Sequence, residues 1–248
     1  MQSEPTSAAP GPLVLKFGGS VLGGESDLAW VAEVVAAEEA RCPGPGGTVV
    51  VVSAFGATTD ALFARAAELH PGAEARVAEL ASTGEEGAAA LFDMALVAAG
   101  RYPALVPGAE LGILTEGPLL DAEPVAFDRT AVATGLARRG LVVVPGFVAR
   151  DRAGRPSLLG RGGSDLTALL LAHHFDARGC VLLKDVEGIH ERDPKVGDCA
   201  RIERLALADL APYAGQVLQP KAAAFAAAVG RGFTLGRPDA PERRTQVG

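Results

Sequence analysis

Three stretches of this sequence combine cations, carboxylates and glycines in orders suited to handling an anion. The first is Leu15-Lys16-Phe17-Gly18-Gly19-Ser20. Lacking Cβ atoms, Gly18 and Gly19 let the backbone turn sharply and present N–H groups to an anion. Lys16 adds a mobile charge beside that nest, and Ser20 can cap a helix beginning there. The pattern is not a P-loop, because G-x-x-x-x-G-K-[ST] occurs nowhere in the sequence. Taken alone, the same residues also suit a plain turn from strand to helix. The second stretch, Gly160-Arg161-Gly162-Gly163-Ser164-Asp165, reads as a helix start capped by Ser164 or Asp165. Its glycines leave helix N–H groups open to an anion, and Arg161 could grip a carboxylate through a two-pronged pair. A capped helix with an incidental arginine is the plainer alternative. The third runs from Lys184 through Asp185, His190 and Asp193 to Lys195. A loop of this mixed charge could hold a ribose and phosphates, though by itself it also reads as a solvated surface loop.

The first and third stretches lie at the ends of apolar runs, and the second opens a helix. Leu13–Phe17, Thr48–Ala54, Leu141–Val144 and Cys180–Lys184 read as buried strands bounded by Gly, Pro or charge. Helical periodicity predicts helices over Asp27–Arg41, Asp60–His70, Glu74–Ala99, Asp128–Arg139 and Asp165–Phe175. Strands alternating with helices predict an α/β protein with a largely parallel sheet covered on both faces. Ligands of such sheets lie outside the carboxyl ends of the strands, where the glycine-rich stretches fall. Pro43–Gly47 is a short turn, too brief for a linker between domains.

The 248 residues, 48% of them hydrophobic, suffice for one substantial core. A net charge of −7 argues against wrapping a nucleic acid backbone, which needs a basic face. Cys42, Cys180 and Cys199 are far apart and form no C-x-x-C, so reduced thiols in a cytoplasmic protein are expected rather than disulfides or zinc. Residues 1–11 read as a polar tail without a secretory signal. No membrane span is expected either, since the most apolar stretch, Leu166–Leu183, is broken by His173, His174, Asp176 and Arg178.

Further motifs join the three in order: Val51-Val52-Ser53-Ala54-Phe55-Gly56-Ala57-Thr58-Thr59-Asp60, Ser82-Thr83-Gly84-Glu85, Pro145-Gly146-Phe147, Val217-Leu218-Gln219-Pro220 and Pro238-Asp239-Ala240-Pro241. Together they resemble the amino acid kinase superfamily, most closely the catalytic domain of aspartate kinases. The resemblance implies one three-layer α/β/α domain over residues 12–248, with the acid bound by its N-terminal part and ATP by its C-terminal part. It implies phosphorylation of the side-chain carboxylate of L-aspartate, with ATP and Mg²⁺, the metal following from ATP chemistry and not from any ligand spacing here. Lys16 and Asp165 would be catalytic. Ser53, Thr59, Glu85, Arg161 and Ser164 would hold the acid, Glu85 on its amino group and Arg161 on a carboxylate. Lys16, Gly18, Gly19, Ser20, Lys184, Asp185, His190 and Lys195 would contact the nucleotide.

The sequence also departs from that pattern. Aspartate kinases usually carry a lysine where Gln216 stands and a histidine where Gln219 stands, with Lys221 a few residues on as a substitute cation. His190 replaces a usual tyrosine, Lys184 a common threonine, and Glu116-Gly117-Pro118-Leu119 an expected Gln-Ala-Gly region. Regulatory aspartate kinases continue into paired ACT domains beyond the point matching Gly248, so feedback through its own ACT domains is not expected. Any homodimer would then form through the kinase domain, and a separate regulatory chain or a downstream dehydrogenase would be the partner. The departures leave two alternatives, a kinase for another acid such as a glutamate-like one, or a non-catalytic binding or regulatory subunit.

Overall fold

The computed structural model describes residues 11–70, 72–192 and 199–248. In chain order the strands are β1 (Gly11–Phe17), β2 (Thr48–Val52), β3 (Ala104–Leu105), β4 (Ile113–Glu116), β5 (Glu123–Phe127), β6 (Leu141–Pro145), β7 (Val148–Asp151), β8 (Pro156–Leu158), β9 (Ala177–Leu183), β10 (Arg204–Leu205), β11 (Phe233–Gly236) and β12 (Thr245–Val247). The helices are α1 (Val31–Arg41), α2 (Thr58–Leu69), α3 (Glu74–Ala98), α4 (Thr130–Arg139), α5 (Gly163–His174) and α6 (Pro220–Val229).

Eight strands form the central sheet in the order β10-β12-β11-β9-β1-β2-β6-β3, parallel except where β11 meets β12. Its middle is built from Leu/Val runs such as Thr48-Val49-Val50-Val51-Val52, buried along their whole length, as a sheet with two covered faces requires. Alternation along each strand then sorts side chains between two cores. Leu13, Leu15 and Phe17 of β1 pack with Val50, Val52 and Leu183 against Val31 and Val35 of α1 and Phe92 and Leu96 of α3. Val14, Val51 and Leu182 face the opposite way, onto the Leu166–Ala172 segment of α5. Phe17 and Phe92 meet edge to face at 4.8 Å. Truncating either to alanine would cost about 3–5 kcal/mol as a core aromatic.

The parallel register aligns the strand ends. Phe17 pairs with both Val52 and Leu183, Val52 with Pro145, and Leu183 with Gly236. The segments beginning at Gly18, Ser53, Gly146, Lys184 and Arg237 therefore leave one edge of the sheet together.

The expected strands and helices are present, with shifts that have physical causes. Gly11 belongs to β1 and not to the expected tail, and a Cβ there would run into the Phe175 carbonyl. The first expected helix is divided into a 3₁₀ turn, Glu25–Trp30, and α1. A second, four-stranded sheet, β5-β4-β7-β8, was not anticipated. It is tied inside by the buried Thr115 and Ser157 hydroxyls, 2.6 Å apart. Helix α6 was also missed, although Pro220 at its first turn and left-handed Gly230 (φ 65) at its end are the usual boundary residues. Among the described residues no helix is long and apolar enough to cross a membrane.

Candidate active site

At the edge where β1 and β9 end, Asp165 lies between two lysines. Lys16 Nζ is 2.9 Å from its Oδ1 and Lys184 Nζ is 2.7 Å from its Oδ2, and the Asp165 and Lys16 side chains are almost wholly buried. The arrangement follows from strand alternation. Lys16 continues the face of Val14, and Lys184 the face of Leu182, toward α5, whose first turn carries Asp165. The Lys184 contact is an aligned hydrogen bond, whereas Lys16 meets the carboxylate as an ion pair without hydrogen-bond alignment. Burial would push the Asp165 carboxyl up, but the ammonium groups of Lys16 and Lys184 outweigh it and hold the group below the usual carboxylate range. For Lys184 burial is the larger influence, and its ammonium is depressed despite the Asp165 carboxylate.

Gly18 and Gly19 cover this cluster. A Cβ on Gly18 would approach Lys16 Nζ to 3.3 Å and the Leu183 carbonyl to 3.2 Å, and one on Gly19 would strike the Ala54 carbonyl. Ser20 does not cap a helix as expected. Its hydroxyl donates to Asp185 at 2.8 Å and ties the first glycine turn to the loop after β9. Ser164 and Asp165 are not caps either. Helix α5 starts from Gly162 in the left-handed region (φ 77) with no side-chain cap, which puts both residues inside the first turn. There Asp165 gains from the positive helix end, and Ser164 packs so closely on Gly146 that a side chain at 146 would collide with it.

On the neighbouring side, Glu85 is buried in the middle of α3. It accepts the Ala54 N–H at 2.7 Å and the Thr59 hydroxyl at 3.1 Å, so it fastens the β2–α2 turn that carries Ser53. Burial is the dominant influence and pushes its carboxyl up to about 7, against the lowering effects of Ala54, Thr59 and Lys16. Arg161 lies in the turn before α5 and reaches across to Asp60 at 2.9 Å, both side chains being largely exposed. A cavity of about 410 Å³ opens beside it, walled by Phe63, Ala67, Val77, Leu120 and Phe147. Phe147 holds a left-handed backbone (φ 69) that is unfavourable for a bulky residue, and its N–H donates to Thr167 at 3.0 Å.

Of the expected site residues, Lys16, Gly18, Gly19, Ser20, Asp165, Lys184 and Asp185 thus form one group, and Thr59 and Glu85 a second. Ser53 follows β2 and its N–H donates to the Phe17 carbonyl. His190 pairs by backbone with Arg201 and makes no side-chain contact to the Asp165 cluster among the described residues. Lys195 lies outside the described residues. Lys221 is not a substitute cation. Asp121 and Glu123 hold its ammonium at 2.6 and 2.8 Å, and raise its pKa against a burial effect. Sequence reasoning missed Asp60 as the partner of Arg161. It also missed Gln219, which packs on the Gly160–Gly162 turn and donates to the Leu159 carbonyl at 2.9 Å.

A larger cavity, about 690 Å³, lies at the opposite edge, where β1, β9 and β11 begin. Two of its arginines are engaged in the framework. Arg178 donates to the carbonyls of Gly11, Cys42, Pro45 and Gly47, and Arg244 forms two parallel hydrogen bonds to Glu38. Size therefore misleads here, and the chemistry points to the glycine-lined edge.

A parallel α/β sheet with a lysine-bracketed aspartate beneath a glycine turn makes this edge suited to receiving an anion. Residues 11–232 match the Amino acid kinase family, and the chain belongs to that family. Among its relatives, an aspartokinase of Geobacillus stearothermophilus is 35% identical over 222 residues, 87% of this chain and 54% of that protein. The structure is similar to that of E. coli aspartokinase III in complex with aspartate and ADP, with a TM-score of 0.79 and 25% identity, covering 95% of this chain and 64% of that one. The aspartate kinase from Synechocystis gives a TM-score of 0.79 at 29% identity, covering 95% of this chain and 39% of that one. The chain thus spans about half the length of the curated relatives it matches.

Proposed function

We propose that the chain catalyses an aspartate kinase reaction, transferring the γ-phosphoryl group of ATP to the side-chain carboxylate of L-aspartate. The observation that carries this reading is the buried Lys16–Asp165–Lys184 cluster under Gly18 and Gly19. It offers concentrated positive charge where backbone N–H groups can cradle phosphates. A carboxylate oxygen of the acid attacks the γ-phosphorus, the bond to the bridging oxygen breaks, and the electron pair leaves on ADP. The acceptor is already deprotonated, so the reaction needs no general base, only alignment and charge neutralisation. Magnesium enters with the nucleotide as MgATP. Among the described residues no group of three or more His, Cys, Asp or Glu side chains is gathered to hold a metal.

In this reading the N-terminal part binds the acid. Glu85 meets the ammonium group, Arg161 leaves Asp60 for a carboxylate, and Ser53, Thr59 and Ser164 line the same approach. An exposed pair such as Arg161–Asp60 is worth about 0–1 kcal/mol, so an incoming carboxylate displaces it at little cost. The C-terminal part, with Lys184, Asp185 and His190, takes the nucleotide. The supply of ATP puts this reaction in the cytoplasm, and the unpaired cysteines suit that reducing compartment. The acyl phosphate formed is labile, so an enzyme that reduces it is the fitting downstream partner.

The test is trapping of the acyl phosphate as a hydroxamate, with aspartate, glutamate and an N-acetylated amino acid run in parallel. Aspartate should be the preferred acceptor. Turnover of glutamate alone would move the assignment to another acid kinase. No hydroxamate from any acid, with ATP still bound, would leave a non-catalytic subunit.

A further inference from the structure

We infer that Lys184 is a catalytic residue, the second cation that joins Lys16 on the phosphoryl group during transfer. The inference rests on the kinase reading above. Phosphoryl transfer spreads charge over the equatorial oxygens of the moving group, and fixed cations in a water-poor site are the main means of stabilising it. The cations near this edge can be sorted by what holds them. Arg161 is on Asp60, Arg237 is doubly bonded to Asp239, and Lys221 is held by Asp121 and Glu123. Gln216, in the loop leading to α6, is neutral and exposed. Among the described residues Lys16 and Lys184 remain, and they share one carboxylate.

That sharing leaves an imbalance. Within contact distance two ammonium groups against one carboxylate leave one positive charge in excess, the Asp185 and Glu85 carboxyls acting on them only from farther off, and the Lys16, Lys184 and Asp165 side chains are only 6%, 16% and 2% exposed. Burying an uncompensated charge is costly unless a partner arrives. A neutral side chain at 184 would remove the excess while leaving the Lys16–Asp165 pair intact. The lysine at 184 is therefore accounted for by an anion that enters the site. Position supports the same role. Lys184 follows Leu183, whose carbonyl accepts the Gly18 N–H at 3.1 Å, so its ammonium and that of Lys16 flank the glycine turn from adjacent strands. Asp165 then serves as a holder. It keeps both lysines extended in the empty site, and both turn a hydrogen-bonding direction to the phosphoryl oxygens when ATP binds.

The experiment compares the full chain with K184M and K184M/Q216K. Each is assayed by hydroxamate formation from aspartate, by ADP binding and by thermal unfolding. K184M should lower kcat by about 10²–10³, the usual loss for removing one transition-state donor, while the KM for aspartate stays within about threefold. Q216K should return part of that loss by bringing a lysine to the same site from the α6 side, a rescue that a merely structural Lys184 would not allow. Should K184M fail to fold, K184Q, which can still donate to Asp165, carries the same expectation for kcat. A folded K184M or K184Q with kcat within threefold of the parent overturns the inference and leaves the kinase reading standing. A parent chain that forms no hydroxamate from any acid removes the kinase reading itself.

Discussion

Replacing Glu85 with glutamine should separate two consequences of one buried carboxylate. Burial raises its pKa from 4.5 to about 7. The folded state therefore holds this proton more tightly than the unfolded chain does. The resulting stabilisation is complete below about pH 4.5 and is lost as pH rises through about 7. A shift of about 2.5 units corresponds to about 3 kcal/mol. The amide cannot ionise, so E85Q should gain about 3 kcal/mol relative to the parent between about pH 4.5 and pH 9. Any offset from the altered contacts to Ala54 and Thr59 is independent of pH. Urea unfolding across that range measures the difference. Activity should move the other way. If the ionised form binds the ammonium of aspartate, about a tenth of the parent is competent at pH 6 and about nine tenths at pH 8. The limb should appear in kcat/KM as a rise of about tenfold and should be absent from kcat at saturating acid, where the bound ammonium keeps Glu85 ionised. E85Q should be slow at every pH and lack the limb. A stability difference that is flat with pH would refute the burial argument. A pH limb that survives in E85Q would refute the ammonium contact.

Four further substitutions probe the same geometry. Arg161→Ala should raise the KM for aspartate, because hydrogen bonds to a charged group are worth about 1.5–3 kcal/mol, whereas Asp60→Asn should lower that KM by up to about fivefold in steady-state assays. Gly19→Ala should weaken ATP binding in calorimetry, since its Cβ meets the immovable Ala54 carbonyl and the turn must open. Asp165→Asn strands two buried ammonium groups, so unfolding should show a loss of about 3–5 kcal/mol together with abolished turnover.

The central strands were legible because Leu13–Phe17, Thr48–Ala54 and Leu141–Val144 are mostly apolar runs of about the length a doubly covered strand needs. The start of β9 was not, because Ala177-Arg178-Gly179 carries no apolar signal and is held in place by its neighbours on β1. The small sheet escaped for a similar reason. Its strands are three to five residues long, and β5 is largely exposed, so no alternating pattern builds up. At the site, glycines and charges marked the right turns, but not who pairs with whom. The pairing of Glu85 with Thr59 spans 26 positions, and that of Lys221 with Asp121 depends on how α6 docks on the small sheet. Capping was misread at Ser164 and Asp165 because left-handed Gly162 lets the chain enter α5 two to three residues earlier.

The central claim is that the side-chain carboxylate of aspartate attacks the γ-phosphorus of ATP. Aspartate carrying ¹⁸O in that carboxylate, incubated with the full chain, MgATP and hydroxylamine, tests it directly. Hydroxylamine attacks the acyl carbon, so the bridging oxygen leaves with phosphate. The account predicts one ¹⁸O in each phosphate released, matched by one hydroxamate. Phosphate without the label, or ADP formed with no hydroxamate, would contradict it.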